Sequence, residues 1–340
     1  MERGPIFIGG PDRCGKTTLR AFLVSSPNIA IPDVGSNYWT FFYGRYGDLS
    51  RRENFERCLA AMLRYKHVRF LQPDPKRLRR EFWQGEPTYA RLFALFHEHY
   101  AERQGKPRWG DQTGLIERYA DLIFTAYPTA RMIHMLRDPR DQYEACLARR
   151  PHGKGGVGGA TARWLYSVGL ARRNQQRYPE RYKLVRYETL VSQPEATLRG
   201  VCAFLSEEFV PAMLTLEDVA RFRKGPAEGP NVRSGLSPIS TAFIGRFRQA
   251  IPKREIAFMQ ACAGGEMIAH GYSLEPIQFS LGERVLFYGM DWSVNLARLA
   301  AWRVWETIQH HFPAQPGRKP APGMVPRSAF TTTAEKAEEK

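Results

Sequence analysis

The sequence lacks a long apolar run, and its cysteines are few. No run of about 18 apolar residues occurs in the 340-residue chain, so we expect no transmembrane helix. The first ten residues, MERGPIFIGG, hold no apolar stretch long enough for a signal peptide, which indicates a cytoplasmic protein. The five cysteines lie far apart, and no two have the spacing of metal ligands. We therefore expect reduced thiols and no metal site.

Acidic residues are scarce relative to basic ones. The chain has 34 Asp and Glu against 50 Lys and Arg, a formal net charge of +16. This surplus favours an anionic partner such as a nucleotide cosubstrate, an acidic polymer, nucleic acid or an anionic membrane. The basic residues are dispersed along the chain and form no stripe, so we expect no nucleic-acid partner.

Predicted strands alternate with predicted helices along the chain. Buried strands are predicted at residues 5–10, 130–136 and 182–190, with helical spacing between and after them. This order favours an α/β fold, a three-layer sandwich with a central parallel sheet flanked by helices. In such sheets ligands bind beyond the carboxyl ends of the strands. We therefore expect the functional residues to follow the predicted strands.

The predicted organisation has three parts. Residues 1–276 form one domain, residues 277–312 a C-terminal helical extension, and residues 313–340, rich in Pro, Lys, Ala and Glu, a disordered tail. The helix at 284–309 is amphipathic, and docking onto the domain or a partner subunit is favoured over a membrane surface. The segment HGKGGVGG at 152–159 follows no strand, so we interpret it as a mobile loop and not as a dinucleotide fingerprint.

The segment GPDRCGKT at residues 10–17 lies between a predicted strand and a predicted helix. It fits the pattern G-x-x-x-x-G-K-S/T, in which glycines turn backbone N–H groups toward an anion and the helix N-terminus adds a positive dipole. Lys16 adds a mobile cation, and Thr17 and Thr18 add hydroxyl donors. The segment predicts an anion site. It leaves open whether the anion is Mg-ATP, as in a P-loop kinase or ATPase, or a 5′-phosphosulfate.

A second candidate anion contact follows the strand at 130–136. Arg137 ends this strand and can offer a bidentate guanidinium to a phosphate. The sequence RDPRD also suits a helix start in which arginines pair with aspartates. A kinase needs an acidic residue near such a strand end to hold Mg²⁺. Asp138 has an arginine on one side and a second arginine two residues later, which weakens the metal interpretation.

Four segments, in order, resemble the sulfotransferase family over roughly residues 5–275. DRCGKTTLRAFLVSSPNIAIP is similar to its phosphosulfate loop and first helix, and PTARMIHMLRDPRD to its 3′-phosphate segment. RYKLVRYETLVSQPEATLRGVCAFL is similar to the stretch that follows, and IGRFRQAI with HGY at 270–272 to its C-terminal signature. The resemblance implies a P-loop NTPase-like fold. It also implies sulfuryl transfer from 3′-phosphoadenosine 5′-phosphosulfate (PAPS) to a hydroxyl or amine, with no metal required.

The resemblance also implies roles for individual residues. The 5′-phosphosulfate would be held by the loop residues Arg13, Cys14, Gly15, Lys16, Thr17 and Thr18. Lys16 would also stabilise charge on the bridging oxygen as the sulfuryl group leaves. Arg137 would bind the 3′-phosphate, and Tyr187 would pack against the adenine. A further 3′-phosphate loop is suggested at Arg223, Lys224 and Gly225.

The sequence departs from the family pattern at three places. The loop carries Gly-Lys-Thr-Thr where members usually have Gly-Thr-Thr. The serine expected eight residues after Arg137 is Ala145, so a phosphate contact is missing or comes from another group such as Tyr143. The frequent E-K-T-P appears as DQTG at 111–114, without its lysine. The general base is therefore open, with Asp33 the first candidate and Asp111 the second. His134 is a third, but its place inside an apolar strand favours a hydrogen-bonded core histidine.

The sequence does not name the acceptor. The aromatic-rich segment GSNYWTFFYGRY at 35–46 suits either an acceptor pocket or core packing. We expect a small-molecule, glycan or lipid-like acceptor, and a homodimer is compatible with the sequence. The alternatives to a sulfotransferase are a P-loop kinase or ATPase that uses Mg-ATP, and a non-catalytic nucleotide- or polyanion-binding protein.

Overall fold

A computed structural model describes residues 3–149, 155–215 and 240–311. The suggested 3′-phosphate loop at Arg223, Lys224 and Gly225 and the tail 313–340 lie outside these ranges. Five parallel strands form one sheet in the order β2-β3-β1-β4-β5. They are β1 (Ile6–Gly9), β2 (Ile29–Ala30), β3 (Arg108–Gln112), β4 (Arg131–Leu136) and β5 (Tyr182–Arg186). The α/β fold with a central parallel sheet is confirmed.

Helices connect the strands and cover the sheet. In the first part of the chain they are α1 (Lys16–Val24), α2 (Tyr38–Phe41), α3 (Arg52–Arg64), α4 (Lys66–Arg69), α5 (Pro75–Phe82), α6 (Tyr89–Arg103), a 3₁₀ turn (Ile116–Tyr119) and α7 (Ala120–Ala126). After β4 they are α8 (Pro139–Arg149), α9 (Gly156–Arg177), α10 (Tyr187–Ser192), α11 (Pro194–Leu205) and α12 (Ala212–Thr215). The last described range holds a 3₁₀ turn (Thr241–Phe243), α13 (Phe247–Ala250), α14 (Lys253–Ala269), α15 (Leu281–Leu286), a π turn (Phe287–Asp291) and α16 (Trp292–His311).

Both faces of the sheet are buried, as the alternation of side chains along β1 shows. Phe7 packs into an aromatic cluster on one face, whereas Ile6 and Ile8 pack into an aliphatic cluster on the other. The aromatic cluster takes in Tyr38 and Trp39, both buried, from the segment at 35–46. These two rings of that segment therefore form core packing.

Strand β3 was not expected from the sequence. Its residues, RWGDQ, form no apolar run, although all five are buried. Arg108 stays charged there because it forms a buried ion pair with Glu207 at 2.9 Å. Asp111 is buried on the same strand, and its carboxylate accepts hydrogen bonds. Long-range partners, which periodicity does not reveal, therefore let a polar sequence occupy the second-to-edge position of the sheet.

The glycines at 155–159 start a helix, so the expectation of a mobile loop across 152–159 is wrong for this part. Gly155 precedes α9 in a left-handed conformation (φ 78°), and the helix begins at Gly156. A Cβ on Gly158 would lie 2.0 Å from the backbone oxygen of Asn295. The glycine therefore lets α16 approach the backbone of α9.

The C-terminal helices dock onto the rest of the chain. Phe287 and Leu299 share a buried cluster with Phe247 and Phe258, and an Arg118–Glu306 ion pair of 2.5 Å fixes the far end. The domain division at residue 277 stays a prediction, since this cluster joins both sides of it. Across the described ranges, no helix is both long and apolar enough to span a bilayer.

Candidate active site

The phosphate loop follows β1 and ends where α1 begins. Gly10 has φ 113° and Gly15 has φ 100°, conformations that favour glycine. A Cβ on Gly10 would lie 2.3 Å from the Met135 oxygen, and one on Gly15 would lie 2.5 Å from a ring carbon of Tyr187. Arg13 also has a positive φ of 65°, a strained conformation of the kind that concentrates at functional sites. The loop is thus shaped by backbone geometry that only glycine tolerates at both ends.

The N-terminus of α1 supplies hydrogen-bond donors. The first-turn amides of a helix have no intrahelical partner, and no side chain caps this helix at Gly15. The first turn carries Lys16, Thr17 and Thr18, with Thr17 exposed. Its positive dipole and free amides suit an anion such as the phosphosulfate.

Lys16 bends back over the loop. Its ammonium donates to the backbone oxygens of Gly10 at 2.7 Å and Pro11 at 2.6 Å. Cys14 is fully buried beneath it, and burial raises the pKa of its thiol. Because its thiol is buried, Cys14 can offer an anion only its backbone amide. The Lys16 side chain is half-buried, so it can turn toward an anion at the mouth of the loop.

Arg137 joins the end of β4 to the phosphate loop. Its guanidinium donates to the Arg13 oxygen at 3.2 Å and to the Phe243 oxygen at 2.8 Å. The guanidinium carbon lies 4.5 Å from the centre of the Tyr187 ring. Arg137 is only 6% exposed, and its Nε has no hydrogen-bond partner. A buried guanidinium with an unpaired donor beside the loop is suited to bind an anionic oxygen there.

Tyr187 begins α10, directly after β5. It is buried, and burial raises the pKa of its hydroxyl. Its ring lies between Gly15 and the guanidinium of Arg137, so in the structure it supports both anion-binding elements. Packing of Tyr187 against the adenine stays a prediction.

The acidic residues after β4 are engaged within the protein. Asp138 forms a bidentate ion pair with Arg140, at 3.0 Å to Nε and 2.6 Å to Nη2. Asp141 accepts the backbone amides of Gly245 at 2.6 Å and Phe247 at 3.0 Å. These contacts bring the segment after residue 240 to the site. The ion pair with Arg140 also occupies the Asp138 carboxylate, which a Mg²⁺-dependent kinase would need at this strand end.

The two candidate bases lie in different surroundings. The Asp33 side chain is 66% exposed and forms an ion pair with Arg20. Asp111 is fully buried, and its carboxylate accepts the Ser36 amide at 3.1 Å and the Thr113 hydroxyl at 2.7 Å. Asp33 thus faces solvent, whereas Asp111 ties β3 to the loop after β2.

Two other residues considered from the sequence lie elsewhere. Ala145 is half-buried on α8. The Tyr143 hydroxyl donates to Glu255 at 3.4 Å, and its ring packs in the cluster that holds Phe247 and Phe287. This contact directs Tyr143 toward the C-terminal helices and away from a role as the replacement for the missing serine.

A fully buried hydrogen-bond network of side chains beneath the phosphate loop was not predicted from the sequence. Glu117 accepts the Gly10 amide at 2.8 Å and the Ser167 hydroxyl at 2.7 Å. Ser167 lies 3.0 Å from His134 Nε2, and His134 Nδ1 lies 2.6 Å from the Tyr182 hydroxyl. The arrangement is satisfied when Tyr182 donates to His134, His134 to Ser167 and Ser167 to Glu117. This hydrogen-bond network links β4, β5 and α9 to the first residue of the loop.

Burial and hydrogen bonding determine the protonation states of His134 and Glu117 in this network. Burial lowers the pKa of His134, so its imidazole is neutral near pH 7. Burial alone would raise the pKa of Glu117, but the hydrogen bonds from the Gly10 amide and the Ser167 hydroxyl help to hold that pKa below its usual value. Nothing in the sequence distinguishes Glu117 from a solvated acid on a helix, because all its partners are distant along the chain.

Comparison with known proteins identifies the family. A profile described as the sulfotransferase family matches residues 5–211, more than half of the chain. The sulfotransferase domain from the Synechococcus PCC 7002 olefin synthase superposes with a TM-score of 0.53 at 19% identity, over 81% of this chain and 98% of that one. The sulfotransferase domain from the curacin biosynthetic pathway gives a TM-score of 0.52 at 18% identity, over 81% and 99%.

No curated protein sequence matches the chain. At these identities the two structural neighbours support the fold alone. The family match extends from β1 to a few residues beyond α11, and it includes the phosphate loop and Arg137. The resemblance inferred from the four segments is confirmed. The chain therefore belongs to the sulfotransferase family and is an enzyme that transfers a sulfuryl group from PAPS to an acceptor.

Proposed function

We propose that the phosphate loop and Arg137 together hold PAPS, with the loop on the 5′-phosphosulfate and Arg137 on the 3′-phosphate. The observation that carries this assignment is the hydrogen bond from Arg137 to the Arg13 oxygen, because it puts the two cationic elements side by side. The first-turn amides of α1 and the hydroxyls of Thr17 and Thr18 supply further donors. Arg223, Lys224 and Gly225 remain a proposed second contact to the 3′-phosphate.

The proposed chemistry is an in-line displacement at sulfur. The acceptor oxygen forms a bond to sulfur while the bond from sulfur to the bridging oxygen breaks, and 3′-phosphoadenosine 5′-phosphate (PAP) leaves. Lys16 gives up its contacts with Gly10 and Pro11 and stabilises the charge that develops on the bridging oxygen. No metal is required for these steps.

We assign the proton acceptor to Asp33 in preference to Asp111. A base must come within hydrogen-bond reach of the acceptor hydroxyl. Asp33 is exposed, and its loop is anchored to the end of β3 because Gln112 donates to the Asp33 backbone oxygen at 2.7 Å. Asp111 has no solvent exposure, and two hydrogen bonds already occupy its carboxylate.

The acceptor we propose is a hydroxyl or an amine of a small molecule, a glycan or a lipid-like compound. A cytoplasmic location is part of the proposal, and it is supported by the cysteines, all of which are free. The kinase alternative needs a carboxylate for Mg²⁺ after β4, and Arg140 holds the one at Asp138.

Calorimetric titration with PAP, without metal, tests the donor site. We expect tight binding, and we expect Lys16→Ala and Arg137→Ala each to weaken it by about tenfold to a hundredfold, the value of a charge-assisted hydrogen bond. Arg199→Ala is the matched control, because Arg199 is exposed on α11 and its described contacts are with Glu195 and the Phe209 ring. Binding of Mg-ATP but not of PAP, or equal PAP affinity in all variants, would contradict the assignment.

A further inference from the structure

The C-terminal helix α16 has an inner face and an outer face. The inner face packs on α9, and it buries Asn295, Leu299 and Glu306. The outer face carries apolar side chains that no described residue covers. A helix with two apolar faces is unusual on a soluble surface, because one face normally carries polar residues.

The outer face is an apolar stripe with coiled-coil spacing. We define the outer stripe as Met290, Val294, Ala297, Ala301, Val304 and Ile308. From Val294 on, successive members are three and four residues apart in alternation, the a/d spacing by which two helices pair, and Met290 lies in the π turn that precedes α16. Val304 is 61% exposed, Met290 53% and Ile308 47%. The stripe is therefore patterned for another helix.

The edges of the outer stripe favour a protein partner over a membrane. A helix that lies on a membrane carries Lys and Arg along its polar flanks. One edge here carries Ser293, Ala300 and Thr307, which are small and uncharged, with the exposed Arg303 beyond them. The other edge includes Arg298 and Asp291, and Asp291 is paired with Arg254 at 2.8 Å. Two such helices can approach closely without repulsion between like charges.

The exposed area matches what a dimer needs. On the far side of the π turn, Val285 is 65% and Leu286 48% exposed, and they add to the exposed apolar surface of the C-terminal helices. Together these side chains expose on the order of 600 Å² per copy, so two copies would bury on the order of 1,200 Å², the lower end of stable interfaces. A twofold contact uses the same patch on both copies, as a self-complementary apolar stripe allows.

We infer that two copies of this chain associate through the outer stripe, with α16 of one copy against α16 of the other. The phosphate loop takes no part in the contact. Dimer formation and PAP binding can therefore be measured separately, and the failure of one leaves the other untouched.

Sedimentation equilibrium of the full chain, from about 1 to about 100 µM, tests the inference. We expect a dimer with a dissociation constant in the micromolar range, as an interface at the lower size limit implies. Val304→Glu places two like charges in the contact and should raise the dissociation constant by at least about a hundredfold. Ile268→Glu is the control, because Ile268 is equally exposed but lies on α14.

Far-UV circular dichroism and urea unfolding check that each variant is folded. A wild-type chain that stays monomeric throughout the range, or a Val304→Glu variant that dimerises as strongly as the wild type, would overturn the inference. Vesicles of phosphatidylserine and phosphatidylcholine give a separate readout. Monomeric wild-type protein that sediments with them, when Val304→Glu does not, would assign the outer stripe to a membrane surface and also overturn the inference.

A cross-link gives a positive signature of the contact. Ala297 lies midway between Leu286 and Ile308, so it faces itself in the partner copy whether the helices pair in parallel or antiparallel about that point. Oxidised Ala297→Cys should form a covalent dimer that the wild type, with its own five cysteines, does not form. A covalent dimer that forms equally in the wild type, or fails to form in the variant, would count against the outer stripe.

Discussion

The buried hydrogen-bond network under the phosphate loop predicts losses of different size for two substitutions of Glu117. Glu117→Ala removes the acceptor for the Gly10 amide and for the Ser167 hydroxyl, both fully buried. Each donor left without a partner costs about 1–3 kcal/mol. The free energy of unfolding should therefore fall by about 2–6 kcal/mol, a large part of the stability of a typical protein.

Glu117→Gln should cost less, because the direction of the hydrogen bonds in the network can reverse. The amide oxygen accepts from Gly10, and the amide nitrogen donates to Ser167. Ser167 then donates to His134 Nε2, and His134 donates through Nδ1 to Tyr182. The Gly10 amide and the Ser167 hydroxyl remain paired, whereas the buried Tyr182 hydroxyl proton loses its acceptor, so we expect a loss of about 1–3 kcal/mol, smaller than that for Glu117→Ala.

Urea unfolding followed by tryptophan fluorescence measures both changes, with linear extrapolation to water. A loss below about 1 kcal/mol for Glu117→Ala would refute the reasoning, since the donors would then have found other partners. A loss for Glu117→Gln as large as that for Glu117→Ala would also refute it. That result would mean that the negative charge, paired with a protonated His134, is what the fold requires.

Two further predictions concern stability. Because burial lowers the pKa of His134 from 6.5, the unfolded chain binds a proton near that pH that the folded chain does not, so stability should fall as the pH drops below about 6.5, by up to about 1.4 kcal/mol per pH unit. His134→Gln should flatten this part of a stability-against-pH curve, and an unchanged slope would contradict the assignment of His134 as neutral. Gly158→Ala places a Cβ against the Asn295 backbone and should destabilise the chain in urea, whereas Gly169→Ala in the same helix meets nothing within 4 Å and should add about 1 kcal/mol. Equal effects of the two glycine substitutions would show that α16 does not need the close approach.

Local patterns in the sequence carried much of the donor site. The phosphate loop was predictable because its chemistry depends on adjacent residues: glycines for positive φ, then a helix start that carries Lys16. Arg137 was predictable because it directly ends an apolar strand. Both features depend on interactions between residues that are adjacent in the sequence, so they do not require any particular tertiary contact.

The general base and the short polar strand were harder to assign. Asp33 and Asp111 look alike as loop or strand acids in the sequence, and only the packing of Ser36 and Thr113 around Asp111 separates them. Strand β3 escaped detection because its charged residue Arg108 is stabilised by Glu207, 99 residues away in the chain. Periodicity carries no information about such partners.

The sequence by itself determined the α/β class, the anion-binding loop and the family, because these depend on patterns that are local or on segments that keep their order along the chain. Only the tertiary structure decided that Glu117 lies under the loop and that the glycines at 156, 158 and 159 belong to a helix. It also decided that an apolar stripe at the C-terminal helix is exposed to solvent. The physical reason is that burial and hydrogen-bond partners are set by which distant segments meet, and burial determines whether a polar or an apolar side chain costs or contributes free energy.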